Sequence, residues 1–468
     1  MDKFFKITEH GSTVKTEIIA GFTTFFAMAY IIFVNPNQVT GFTEGLSNIW
    51  NAVYVASILA ATIGTLLMAL YAKMPFAQAC GMGLNSFFFV SFILPQVIAG
   101  GDCVQGYQAG LVIVLISGII FMILSLTGAR QYIAKAMPEC LKKAIPAGIG
   151  LFITYIGFQN VGIIQANQYT LTQFVDIHGA INGEGGIMTV LPALLALLGF
   201  LLIVILGKRN VKGNVLIGII ITAVLYYVFS GTVPSFDITQ IGQSFKDFAD
   251  IGVTGVFHAA SWKHAFSPEF VGGVFSAILY IITFCLIDMF DTIGTLYGTA
   301  AQADLLDENG DPQNLDKCMA CDSIATVSGA VLGTSTCTTF VESASGVAAG
   351  GRTGLTPLVV SICFFVCLFL TPLASIVPAC ATAPALIYVG VLMLGNFKNV
   401  DMSDLSSAAP AFLTLIAMPL TYSIANGIGI GSIAYTIIAI CTGKFQKKDI
   451  MVAIIGLLFC LKFIFITM

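Results

Sequence analysis

The sequence predicts an all-α polytopic membrane protein of fourteen transmembrane segments arranged as two inverted repeats of seven, and three observations predict it. Hydrophobic residues make up 57% of the 468 and charged residues only 9%, about a third of the charged share of soluble domains. Twelve stretches are apolar over a length that can cross a bilayer, which takes roughly 17 to 25 residues. Lysine and arginine gather in alternate connecting loops, as they do on the cytoplasmic side of membrane proteins.

The same composition excludes other classes. A mean hydropathy of +0.93 rules out a soluble multidomain enzyme. A formal charge of −4 leaves no basic face for nucleic acid,. Nearly all of the twelve cysteines lie within apolar runs, among them Cys80, Cys285, Cys363, Cys367 and Cys460, where cysteine acts as a small hydrophobe rather than as part of a disulfide framework. Cys318-x-x-Cys321 has no histidine or second pair beside it and reads as two packing residues,. The four histidines (His10, His178, His258, His264) fall in no confident span and in no metal-ligand spacing,. Neither a metal nor an organic cofactor is expected.

Residues 1–16 are polar, carry Lys3, Lys6 and Lys15, and lead into a full-length span without a small-residue cleavage site. The first span is therefore expected to stay in the membrane, with the N-terminus cytoplasmic. Uninterrupted spans are expected at 17–35, 50–72, 105–127, 144–164, 188–206, 214–231, 268–300, 317–333, 355–371, 376–395, 408–424 and 427–442. Two further segments, 75–95 and 334–351, are apolar but broken. The first contains Pro75-Phe-Ala-Gln-Ala-Cys-Gly-Met-Gly-Leu-Asn85, and the second Thr334-Ser-Thr-Cys-Thr-Thr339 followed by Gly346, Gly350 and Gly351.

Charge parity counts both broken segments as crossings. With the N-terminus inside, inside segments hold 17 of the 20 basic residues, including Lys73, Arg130, Lys135, Lys142, Lys208, Lys317, Arg352, Lys398 and Lys444. Lys246 and Lys263 fall in the long external loop 232–267. The stretch 450–466 is long enough to span, but Lys462 within it makes an interfacial helix equally consistent.

Seven segments per half is an odd number, so the halves have opposite orientation, as in many secondary transporters. Pro146-Ala147 with Gly157 is mirrored by Pro384-Ala385 with Gly395, and Pro192-Ala193 with Gly213 by Pro410-Ala411 with Gly431. The broken segments fall third in each half, and paired broken helices point to a transporter's binding site.

Acidic residues inside spans are costly and usually functional. Asp288 and Asp291 lie three apart on one helical face,. Glu342 follows the Thr-rich stretch, which favours extended backbone, and so is expected at a half-helix N-terminus. No lysine or arginine within these spans neutralises the three carboxyls, a composition suited to proton coupling. Asp291, beside Thr292 and Thr295, reads equally as an interhelical group. Asn85 offers two donors and an acceptor, or else an interhelical bond, and Gly81 and Gly83 allow close backbone approach,. Gly83 and Thr339, from the two broken segments, complete the candidate substrate-binding set of Asn85, Asp288 and Glu342. Carboxyls, an amide and half-helix N–H groups suit a flat, neutral heterocycle and would repel a small anion, and Phe33, Phe87 or Phe340 could stack on its ring,.

Three motifs carry a family resemblance: Gly81-Met-Gly-Leu-Asn85-Ser-Phe-Phe, Ile287-Asp288-Met-Phe-Asp291-Thr-Ile-Gly294-Thr-Leu, and Thr338-Thr-Phe-Val-Glu342-Ser-Ala-Ser-Gly346-Val-Ala-Ala-Gly-Gly-Arg352-Thr-Gly-Leu. Together they resemble the purine-permease (adenine/guanine/hypoxanthine, AzgA-like) branch of the nucleobase-cation-symport-2 family, from Gly21 to the final spans. Asp288, where the xanthine and uracil branch carries Glu, favours the purine branch. The resemblance implies short strands opening segments 3 and 10, and a core domain (17–127 and 268–371) working against a gate domain (128–231 and 372–468). It further implies that Asp288 and Glu342 bind the base, Asn85 supports binding and specificity, Asp291 serves transport and proton coupling, and the gate domains form a homodimer. The expected function is proton-coupled import of guanine or hypoxanthine across the cytoplasmic membrane, with adenine as the alternative and an anion carrier of the same inverted plan as the remote rival.

Overall fold

The computed structural model describes residues 2–127, 137–183, 186–234, 236–302, 305–306 and 312–465. Arg130 and Lys135, counted above among the cytoplasmic charges, lie outside the described residues.

The chain forms a mostly helical polytopic membrane protein. The first half contains α1 (Val14–Thr40), α2 (Ser47–Ala72), β1 (Gln78–Cys80), α3 (Met82–Ala99), α4 (Cys103–Thr127), α5 (Glu139–Asn160), a hairpin of β2 (Ile164–Asn167) and β3 (Leu171–Phe174), α6 (Leu191–Lys208) and α7 (Asn214–Ser230). The second contains α8 (Gly273–Gln302), α9 (Leu315–Leu332), β4 (Cys337–Thr339), α10 (Ser343–Ala348), α11 (Leu355–Ser375), α12 (Ala379–Asn399), α13 (Leu405–Leu420), α14 (Ile424–Cys441) and α15 (Ile450–Phe465). Ten of the described helices are long and apolar enough to cross a membrane; α7 and α13 are shorter apolar helices. Short helices at Thr239–Asp247 and Ala259–Ala265 occupy the loop 232–267.

Local chemistry sets the breaks. The Thr13 side chain accepts from Thr16 N–H and starts α1,. Its helical pattern is interrupted at Ala29 and Tyr30 and continues through Pro36, which has no N–H to donate,. The helix α2 ends at Lys73 in the left-handed region (φ 57°), two residues before Pro75. The helix α9 ends at Gly333 with φ 107°, where a Cβ would meet Gly252 Cα at 2.6 Å, so only glycine fits,.

Beyond these breaks the chain is extended, and β1 pairs antiparallel with β4 in the register Gln78↔Thr339, Ala79↔Thr338, Cys80↔Cys337. Two further bonds flank the strands, Gly81 N–H to Thr336 O at 3.0 Å and Phe340 N–H to Ala77 O at 3.0 Å. A half-helix follows each strand.

The helices pack in two groups. In one, α9 lies against α2 and α4, α11 against α1 and α2, and α10 against α1. In the other, α5 lies against α12 and α13, α6 against α7 and α12, and α13 against α14. Small residues make the close approaches, as in membrane helix pairs generally. A Cβ on Gly346 would overlap Thr24, one on Gly150 would meet Gly390 O at 2.8 Å, and one on Gly83 would overlap Ile149 of α5.

Element boundaries differ from the expected spans where capping decides them. Paired glycines Gly272 and Gly273, both at positive φ, start α8 at Gly273 rather than 268, and Pro378 starts α12 at Ala379 rather than 376. The hairpin β2–β3 was not expected. The stretch left open, 450–466, contains α15, which runs antiparallel along α14: Tyr435 O–H donates to Asp449 Oδ1 at 3.1 Å, Gly456 abuts Ser432, and Phe459 abuts Gly429. Lys462 is buried there, its Nζ 5.6 Å from the Tyr280 ring. No disulfide joins the twelve cysteines.

The fully buried Glu17 carboxylate ties α1 to the corner between α10 and α11. It accepts from Arg352 N–H at 2.9 Å, Thr353 N–H at 3.3 Å and Thr356 O–H at 2.6 Å. Glu17→Ala leaves these donors unpaired, at a cost on the order of 3 kcal/mol. The variant is expected to melt at a clearly lower temperature in detergent than Thr356→Val, which removes a single donor; equal melting of both variants and the parent chain would contradict the tie.

Candidate binding site at the crossing of the broken segments

The paired strands bring the N-termini of α3 and α10 together, and polar side chains from α1, α2, α8 and α9 close around them. Glu342 is the N-cap of α10, half-buried, and its Oε1 accepts from Tyr30 O–H at 2.6 Å. Tyr30 sits at the break in α1.

Asp288 on α8 is buried and accepts at Oδ2 from Thr326 O–H of α9 at 2.6 Å. Thr326 in turn accepts from Cys337 N–H of β4 at 3.1 Å, so one hydroxyl connects the carboxyl to the strand. Asp291, one helical turn along α8, is half-buried and close enough to Glu342 to feel its charge. Its neighbour Thr292 shares a 2.7 Å hydrogen bond with Thr338 of β4.

Asn85 lies fully buried in the first turns of α3, where its Nδ2 donates to Asn35 Oδ1 of α1. Among the described residues, Asn85 Oδ1, Asp288 Oδ1, Asp322 Oδ2 and Gln78 Oε1 are buried at this crossing without a hydrogen-bond partner. Buried polar atoms are almost always paired, so a group of unpaired acceptors at one crossing marks a place where a ligand could donate.

Thr339 donates to Asp322 Oδ1 at 3.4 Å and accepts from Gln78 Nε2 at 3.3 Å, and Gly83 packs on α5. Phe87 belongs to an aromatic cluster with Tyr280 and Phe284 of α8, 5.9 and 5.2 Å between ring centroids. Phe340 is buried and Phe33 partly so.

Sequence reasoning missed Asp322, Gln78 and Tyr30. Asp322 is fully buried on α9, accepts from Gln78 Nε2 at 3.1 Å, and would have been found by extending the count of intramembrane acids to 317–333. Tyr30, one of fourteen tyrosines, carried no signal of its own. Among the described residues the ion pairs lie at loops and helix ends, Lys6–Glu9, Lys142–Glu139, Lys143–Glu139 and Lys444–Asp404. None involves Asp288, Asp291, Asp322 or Glu342.

The permease family Xan_ur_permease matches residues 15–430. The guanine/hypoxanthine permease PbuG of Bacillus subtilis is 42% identical over 473 aligned residues that cover all of both chains. The adenine permease AdeQ of Escherichia coli is 37% identical over 468, covering all of this chain and 96% of its own. In fold, the chain is similar to the transmembrane domain of the cyanobacterial bicarbonate transporter BicA, with a TM-score of 0.61 at 16% identity over 88% of this chain and 96% of that one.

The Thr326 bridge is open to an isosteric test. Thr326→Val removes the Asp288 donor and the Cys337 acceptor together, at roughly 2–4 kcal/mol, whereas Thr326→Ser retains both. The expected order of melting temperatures in detergent is parent and Thr326→Ser together, Thr326→Val well below; a valine variant as stable as the parent would remove the bridge.

Proposed function

The chain belongs to the Xan_ur_permease permease family, and from that membership we propose that it imports purine nucleobases, guanine and hypoxanthine first, together with protons, across the cytoplasmic membrane. As a permease it is a transporter and not an enzyme.

The observation that carries the substrate reading is the convergence of Glu342, Asn85 and Asp288 on two half-helix N-termini, with Asn85 Oδ1 and Asp288 Oδ1 unpaired. A 6-oxopurine presents N1–H beside C6=O. An acceptor on Glu342, Asn85 or Asp288 takes the ring N–H, and half-helix amides donate to the carbonyl. Identity to PbuG over the whole chain supports guanine and hypoxanthine. The similar identity to AdeQ is what favours adenine as the second reading. The likeness to BicA bears on the fold alone, and a group of unpaired carboxyls is unsuited to an anion.

Proton coupling follows from charge. Uncompensated buried carboxylates are costly, and none of the described residues supplies Asp288, Asp291 or Glu342 with a cationic partner. A proton neutralises such a site and leaves with the substrate. Asp288, Asp291 and Glu342 are the proposed carriers, and the proton is the only coupling agent the proposal needs.

Alternating access then uses the two helix groups. The proposed architecture is fourteen crossings in two inverted repeats, with α1–α4 and α8–α11 as a core that carries the site, and α5–α7 and α12–α14 as a gate. The N-terminus is cytoplasmic and the gate faces form a homodimer. Gly83 against Ile149 and α1 against α12 are contacts between core and gate, so rocking of one group on the other would uncover the site.

Glu342→Gln and Asp288→Asn each keep the size of the side chain and remove its charge. Uptake of labelled hypoxanthine by permease-deficient cells is expected to fall at least about a hundredfold in each, as loss of a charged hydrogen bond of roughly 3 kcal/mol implies, with unchanged protein in the membrane. Uptake at the parent rate in either variant would remove that carboxyl from the site.

A further inference from the structure

Beyond the residues that face the crossing, a buried chain of hydrogen bonds runs from it to a backbone carbonyl, and its direction is fixed. Ser57 on α2 donates its one proton to Val53 O of its own helix at 2.5 Å. A carbonyl oxygen can only accept, and this bond is far shorter than the 3.2 Å contact of Ser57 Oγ with Thr334 Oγ1, in which either hydroxyl can donate, so Ser57 Oγ is left to accept from the next group. That group is Asn35 Nδ2 on α1, which also lies 3.4 Å from Thr334 Oγ1. With its NH2 committed to these hydroxyls, Asn35 turns Oδ1 toward Asn85. Asn85 must then answer with Nδ2, which leaves Asn85 Oδ1 as the unpaired, buried atom. Asn35 and Asn85 are both fully buried, and Ser57 is 6% exposed, so water does not offer alternative partners along the chain.

We propose that Ser57 and Asn35 are specificity-determining positioning residues: through Val53 O they lock the Asn85 amide with its oxygen presented to the substrate, and that polarity selects 6-oxopurines over adenine. The inference rests on the purine reading above and extends it to residues that touch no substrate. The chemistry of the selection is an exchange of roles. Guanine and hypoxanthine carry a donor at N1 and an acceptor at position 6, whereas adenine carries an acceptor at N1 and a donor at position 6. An amide rotated by half a turn swaps its oxygen and its NH2, and so swaps which of the two patterns it matches. A fixed amide therefore discriminates, and a free one does not. An unmatched buried polar pair costs enough for selectivity on the order of tenfold or more.

Ser57→Ala removes the anchor. Asn35 then keeps only the 3.4 Å contact with Thr334 Oγ1, a hydroxyl that can donate as well as accept,, and both amides can turn together. Ser57→Thr keeps a hydroxyl that can bond Val53 O, and Ser57 borders a small void lined by Ile31, Ile58, Ala61 and Phe364.

The experiment is competition by unlabelled guanine and adenine against labelled hypoxanthine uptake, with the parent chain, Ser57→Ala and Ser57→Thr in permease-deficient cells. The parent is expected to prefer guanine. In Ser57→Ala the ratio of adenine to guanine half-inhibition concentrations is expected to fall about tenfold, chiefly because adenine competes better, and in Ser57→Thr it is expected to return to within about twofold of the parent. A loss of uptake rate with an unchanged ratio in Ser57→Ala would mean a merely structural role and would overturn the proposal. An unchanged ratio with unchanged uptake would do the same. A parent chain that takes up no purine would overturn the functional reading itself, which is a different failure from a parent that transports and an alanine variant that discriminates equally well.

Discussion

The antiparallel pairing of β1 with β4 is the constraint on which the rest of the structure depends. Within a bilayer every backbone N–H and C=O needs a partner from the protein, and two segments that leave the helical conformation would each expose a row of them. Pairing Gln78–Cys80 with Cys337–Thr339 satisfies the facing edges, and the hydroxyls of Thr65, Thr326 and Thr292 take outward groups of Gln78, Cys337 and Thr339. It also determines where the site can be, because each strand is followed by a half-helix whose first N–H groups have no intrahelical acceptor. The candidate residues Asn85 and Glu342 lie within the first turns of those half-helices.

Around this pairing the polar side chains form bridges rather than isolated contacts. Thr326 links Asp288 to β4, Gln78 links β1 to Asp322, and Thr292 links α8 to Thr338. Each is a hydroxyl or amide that satisfies a strand and a neighbouring helix together, so the acids are held by the same groups that hold the crossing. The carboxyls nevertheless keep acceptors unpaired, at Asp288 Oδ1 and Asp322 Oδ2. That combination of a rigid frame with unsatisfied acceptors is what a binding site requires: preorganised geometry, and hydrogen bonds left for the ligand to make.

Much of this was legible in the sequence because membranes impose strong rules. Apolar length marked the spans, and Pro75 with Gly81, and the run Thr334–Thr339 with Gly346, marked the two places where a helix could not continue. The intramembrane acids Asp288, Asp291 and Glu342 stood out against apolar neighbours. What the sequence did not disclose depends on contacts between distant segments. Tyr30 matters because α1 breaks beside Glu342, 312 positions away, and nothing in its local context says so. The partners of Thr339 and Gly83 were likewise set by distant segments, Asp322 of α9 for the Thr339 hydroxyl and Ile149 of α5 for Gly83. Asp322 was missed for a different reason: 317–333 reads as a span, but its acid was not included among the intramembrane carboxyls.

The central claim is that protons and a purine base move together through this site. Its most direct measurement uses purified protein in liposomes with an imposed pH gradient, alkaline inside, following labelled hypoxanthine in the lumen. The account predicts accumulation above the external concentration that collapses on addition of a protonophore. Uptake that only equilibrates and ignores the protonophore would contradict the coupling, and no uptake of any purine by correctly inserted protein would contradict the substrate.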